Sequence, residues 1–155
     1  MAPELKSCVD NLEIQSVILK SLLVNLRDDV DAEVFDDECI EHPQEIRALK
    51  LIRQFQREED DTWFYRLHTV IAIRFISEED TKKDSGDDSI EPILEIRAEF
   101  VAQYESKCEL SEEGLSLFGE KYVFYHVWPY WREILQSSCA RLGVPPLMIS
   151  PLRVS

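Results

Sequence analysis

Only four of the 155 residues are glycine, and none lies in a Gly-rich run able to wrap backbone amides around a phosphate. Cysteine is as sparse. Cys8, Cys39, Cys108 and Cys139 are far apart, no two form a C-x-x-C pair, and His42, His68 and His126 are equally scattered. Such spacing excludes the zinc and haem motifs and predicts free buried thiols in a reducing compartment. Basic residues are few: 17 Lys and Arg against 31 Asp and Glu leave a net charge of −14. A chain this acidic is repelled by nucleic acid and anionic membranes and attracts basic polypeptides, although the same charge also serves plain solubility. No apolar run approaches the ~20 residues of a membrane span; Lys20 and Ser21 interrupt the longest. Met1-Ala2-Pro3-Glu4 lacks the basic start of a secretion signal, so a cytoplasmic location is expected. Motifs of catalysis are missing too, G-x-S-x-G and H-E-x-x-H among them. The pairs Asp36-Asp37 and Asp87-Asp88 sit in hydrophilic stretches without the burial that shifts a carboxyl pKa, so neither enzyme activity nor a cofactor is expected.

What the chain does have is periodicity. Its length predicts one domain over residues 1–155. Residues 12–27 are apolar at both parities: Leu12, Ile14, Ile18, Leu22, Val24 and Leu26 share one, Val17, Leu19 and Leu23 the other. A strand of that kind is covered on both faces, or carries a bulge, or meets another subunit. An acidic connection over 28–43 follows, with Val34, Phe35 and Ile40 embedded in it; a loop so long is functional or disordered. Past Pro43, a second strand over 46–56 carries Leu49, Leu51 and Phe55, read as one side. Within 63–75 the odd positions run Trp63, Tyr65, Leu67, Thr69, Ile71, Ile73 and Phe75. After a polar stretch the even positions Leu94, Ile96, Ala98, Phe100, Ala102 and Tyr104 repeat the pattern. The opposite parity holds Arg66, His68, Arg74, Glu95, Arg97 and Glu99, a wet face that predicts a cross-strand charge ladder. Glu95 and Glu99 are also candidates for docking a basic partner.

The period then changes to helical. Ser111 opens a capped turn, and Trp128, Trp131, Leu135, Cys139 and Leu142 form a stripe. With Pro129 in the first turn and Gly143 at the C-terminal cap, the spacing predicts a helix over 129–142, preceded by a shorter one over 111–125. Seven of the fourteen positions 118–131 are aromatic. One helix face hides about half of them, and the surplus calls for a subunit interface or a groove. The class is α+β: a four-stranded antiparallel sheet covered by a long C-terminal helix.

Trp128-Pro129-Tyr130-Trp131-Arg132-Glu133, with Pro145-Pro146-Leu147 after the helix, resembles the aromatic–Pro–Tyr–x–Arg–Glu signature of the SecB export-chaperone family. Leu12-Glu13-Ile14-Gln15 is similar to that family's first strand, and Pro43 to the approach to its second. The resemblance implies a homotetramer, a dimer of dimers, that holds unfolded client polypeptide in long apolar grooves. Carried onto this chain, the groove residues are Val34, Phe35, Ile40, Leu49, Leu51, Trp128, Trp131 and Leu135, with acidic rims that favour basic, apolar segments. SecB proteins proper continue into a tail that engages the SecA motor. Here the chain stops at Val154-Ser155, as in relatives dedicated to an antitoxin. The expected client is therefore an antitoxin segment, with delivery of preproteins for export as the rival. From another class, a hotdog-like thioesterase also wraps a sheet around a long helix, but there the helix comes early in the chain.

Overall fold

The alternating segments pair as their parities demand. In the computed structural model, which describes residues 1–147, 149 and 152, the strands β1 (Glu13–Leu26), β2 (Pro43–Gln56), β3 (Trp63–Phe75) and β4 (Leu94–Ser106) form one antiparallel sheet in the order β1-β4-β3-β2. Val154 and Ser155, on which the tail argument ends, lie outside the described residues. Tyr65, Leu67, Ile71, Ile73 and Phe75 of β3 stand opposite Tyr104, Ala102, Ala98, Ile96 and Leu94 of β4, and all ten are buried in the core. Thr69, on the same face, has no exposed surface; its hydroxyl donates to the Phe100 carbonyl at 3.2 Å, which satisfies that buried polar group.

Extra residues in the edge strands account for the mixed parities. The β1–β4 register shifts between Ile14 and Ser16 and again between Leu19 and Ser21, so Gln15 and Lys20 are bulged. Each bulge moves the inward set to the other parity, and one row results: Ile14, Val17, Leu19, Leu22, Val24 and Leu26 align with the buried residues of β4. On the other edge, β2 shifts between Leu49 and Leu51 around Lys50. Leu49 therefore pairs with inward Thr69, while Leu51 pairs with His68 and, like Phe55, shares the outer face. The expectation of one shared side is corrected by that single residue. The Lys20 and Lys50 bulges flank one rung, Leu19–Phe100–Thr69–Leu49, so both edges kink at the same level.

Three helical pieces close the inner face: α1 (Pro3–Asn11), α2 (Glu112–Phe118) and α3 (Phe124–Leu142), the last two joined by a π turn at Gly119–Val123. Ser111 caps α2 as expected, its hydroxyl accepting from the Gly114 N–H at 3.1 Å. Gly143 ends α3 at φ 73°, and the Val144 N–H donates to the Cys139 carbonyl at 3.1 Å, a Schellman closure that only an αL residue permits cheaply. The helix start, in contrast, lies five residues before Pro129, which sits inside α3. Proline removes the N–H that Tyr125 would receive; Tyr125 is exposed, so water can take that carbonyl. The inward stripe is accordingly Phe124, Val127, Trp131, Leu135, Ser138 and Cys139, with Trp128 at its border rather than in it. Helix α1 was not expected. Its Leu5 and Cys8 are buried against α2, where a Cβ on Gly114 would stand 2.6 Å from the Glu4 carbonyl oxygen. Burial there pushes the Cys8 thiol up to about 11, and all four cysteines are free.

Candidate polypeptide-binding edge

Strand β2 is an edge, so one side of its backbone has no neighbouring strand. Two solvent-open clefts lie along it. The first, about 620 Å³, is bounded by Ile46 and Arg47 of β2, Ile71 and Ile73 of β3, and Trp128 and Trp131 of α3. Arg47 lies on the core-facing row, opposite Ile71, and its guanidinium stacks over the rings of Phe124 and Trp128 at 5.3 and 5.9 Å. A cation held this way keeps two aromatic faces in place and lends the cleft a polar edge. The second cleft, about 560 Å³, runs between Leu49, Leu51 and Ile52 of β2 and Leu115 of α2. Behind Leu49, Gly119 in the π turn lets the backbone approach β2 so closely that a Cβ would fall 2.5 Å from Leu49 Cδ2.

Four of the eight groove candidates line these clefts; Val34, Phe35, Ile40 and Leu135 line neither. Trp128 and Trp131 share the first cleft and Leu49 and Leu51 the second, while Leu135 is wholly buried beneath α3. Val34 is 67% exposed at the end of a short 3-10 turn, Ile40 is half-buried, and Phe35 is only 8% exposed and belongs to the core. The rims are mixed rather than acidic: Glu45 and Arg47 border one cleft, Lys50 and Glu112 the other. Of the seven clustered aromatics, Phe118, Phe124 and Trp131 are buried, and Tyr125 and Tyr130 remain about half exposed. Ile46 and Arg47, which sequence reading passed over, lie one beside the other on the edge; the proline that opens the strand at Pro43 rather than before it was the available signal.

The outer face of the sheet does not form the expected ladder. Glu99 is engaged by Lys50 Nζ at 2.7 Å, the one outer-face ion pair among the described residues. Glu95 stands opposite Arg74, whose guanidinium instead donates to Gln44 Oε1 and to the Ser85 carbonyl, both at 2.7 Å. His126 is structural: with the imidazole neutral, the wholly buried Tyr104 hydroxyl donates to Nδ1 at 2.8 Å. Burial lowers the His126 pKa and also, with Lys20 and Arg53 next in importance, that of His68. A histidine depressed in the folded state destabilises it once the unfolded chain takes up protons. The thermal midpoint is thus expected to fall as pH drops below about 6.5, where free histidine titrates, and His126→Asn to lose part of that dependence. A melting profile unchanged by the substitution would contradict the assignment.

A sheet ordered β1-β4-β3-β2, with a crossover between its two edge strands and a long helix following β4, is the SecB-like fold. A SecB-like chaperone of Mycobacterium tuberculosis, solved in complex with a ChAD peptide from the HigA1 antitoxin, superimposes with a TM-score of 0.62 over 99% of either chain, at 14% sequence identity. No family model matches the sequence, and no curated protein does. Among the described residues no helix is long and apolar enough to cross a membrane, and no group of His, Cys, Asp and Glu could hold a metal ion.

Proposed function

We propose that residues 1–155 act as one ATP-independent holdase domain, which keeps a non-native polypeptide segment extended along the free edge of β2. The observation that carries the reading is the coincidence of an unpaired edge strand with two open clefts, one walled by Trp128 and Trp131 and the other by Leu49 and Leu115. An extended client can add main-chain hydrogen bonds to such an edge while alternate side chains enter the clefts, which gives grip with little demand on sequence. Each large apolar side chain buried contributes about 1.5–3 kcal/mol. Ordering the client costs about 1–2 kcal/mol per residue and cancels much of that gain. Binding becomes firm when several edges of one oligomer share a client, through effective concentration.

The assembly that supplies those edges is a cytoplasmic homotetramer, a dimer of dimers joined through the apolar strand β1. The client is an antitoxin segment, in a toxin–antitoxin–chaperone system; the antitoxin peptide held by the structurally similar chaperone supports this choice. Ile46 and Leu51 are both exposed on β2. Ile46→Asp with Leu51→Asp is expected to weaken suppression of client aggregation at least about tenfold, the loss of roughly one buried side chain, while the thermal midpoint stays in place. Full suppression by the double variant, measured by light scattering, would sink the edge assignment. Pull-down from the native host should recover an antitoxin; secretory preproteins in its place would point to export and SecA instead.

A further inference from the structure

On the face of the sheet turned away from the helices, a pocket of about 370 Å³ lies in a protein of net charge −14 and yet is lined by cations. Lys20 reaches it from β1, Arg53 from β2, Arg66 and His68 from β3, with Ser16 and Gln103 completing the donors. His68 is 9% exposed, and its Nε2 has no hydrogen-bond partner among the described residues. A buried polar nitrogen without a partner is uncommon in a folded protein and asks for a ligand. The surroundings sharpen the request. Lys20 and Arg53 make no side-chain ion pair or hydrogen bond among the described residues, and Arg53 stands directly across from Arg66, a like-charge pair that destabilises a bare sheet. Arg66 spends its Nε on Gln103 Oε1 at 2.9 Å and stacks on Phe55 at 4.7 Å, which fixes the guanidinium and leaves its outer N–H groups free for another acceptor. Glu99, the acidic neighbour, is occupied by Lys50. The bulge at Lys20 is what aims that ammonium, as bulges elsewhere re-aim side chains at binding sites.

We propose that this pocket binds a doubly charged oxyanion of the phosphate class, held by Lys20, Arg53, Arg66 and the Nε2–H of His68. Donors converge from β1, β2 and β3, more than the two oxygens of a carboxylate can accept in good geometry, whereas the three or four oxygens of a phosphate match them. The negative field of the whole chain does not prevent this, because charges beyond about 8–10 Å are screened at physiological ionic strength. Burial, then Lys20 and Arg53, hold His68 neutral, with Lys50 adding to and Glu99 opposing that effect; a bound dianion reverses the balance and raises its pKa. The pocket lies across the sheet from α3, so phosphate and a client on the β2 edge can be held together.

The full chain titrated with inorganic phosphate, at ionic strength held constant with chloride, tests this through the imidazole nitrogen resonances. Phosphate should saturate, shift His68 and raise its pKa, and leave His126 unmoved. Arg53→Gln, an exposed substitution that spares the fold, should weaken binding roughly tenfold or more, the loss of one charge-assisted contact. Methyl phosphate binding as well as phosphate would mark a phosphoryl group carried on a larger molecule as the source; its exclusion would mark the free ion. An equal response to chloride alone, succinate binding as tightly as phosphate, or unchanged binding by a folded Arg53→Gln variant would each overturn the proposal.

Discussion

Trp131→Ala should unfold the protein at a midpoint roughly 10 °C lower than the parent. The indole is 3% exposed, lies in the inward stripe of α3 between Val127 and Leu135, and forms the deep wall of the first cleft. Truncating a buried tryptophan costs about 3–5 kcal/mol, because the transfer energy is lost and a cavity remains; at this chain length each kcal/mol moves the midpoint by about 2–4 °C. Phe35→Ala belongs with it. The crossover position suggested a client contact whose loss would spare the fold, but at 8% exposure and within the core cluster Phe35 is a structural residue. Its truncation should lower the midpoint as well, by about the same amount. Thermal melts in which either variant keeps the parental midpoint would contradict the burial described above.

The second large effect is on assembly. Strand β1 is fourteen residues long, occupies the other edge of the sheet, and leaves Ile14, Leu19, Leu22 and Leu23 between 42% and 46% exposed and Ile18 at 55%. An edge so long and apolar aggregates unless something covers it, and a second β1 in the homotetramer is the cover proposed. Ile18→Asp with Leu23→Asp places two carboxylates in that interface. In an isolated subunit both side chains stand on the outer face of the sheet, 55% and 46% exposed, so the substitution costs the monomer fold little. Sedimentation should show the parental assembly reduced to smaller species, with client binding weakened by the lost avidity. An unchanged mass would remove β1 from the interface.

How much of this was legible in the sequence differs element by element, for physical reasons. The β3–β4 pairing could be read residue by residue, because neither strand carries a bulge and both bury one face against helices. The caps at Ser111 and Gly143 were legible because their signals are local. The bulges at Gln15, Lys20 and Lys50 were not. A bulge has no composition of its own, and Lys50 is enough to send Leu49 and Leu51 to opposite faces. Helix α1 was missed although Pro3 suits a first turn and Leu5, Cys8 and Leu12 are spaced three and four apart, since nine residues give a weak periodic signal. The start of α3 was misplaced because Pro129 reads as a beginning, whereas tertiary packing of Phe124 and Val127 extends the helix across it. Groove and core remained mixed in the sequence for a simpler reason: both want large apolar side chains, and only the packed structure separates Phe35 from Val34.

Both clefts on β2 stay open to solvent along their length. On the holdase function proposed above, a client held there departs at a rate fixed by its own contacts, since affinity differences between related complexes reside mostly in dissociation. Release then becomes a race. Each time a segment lifts off, it either folds, meets a tighter-binding partner, or falls back, and the host selects among guests by how quickly each can make use of its freedom.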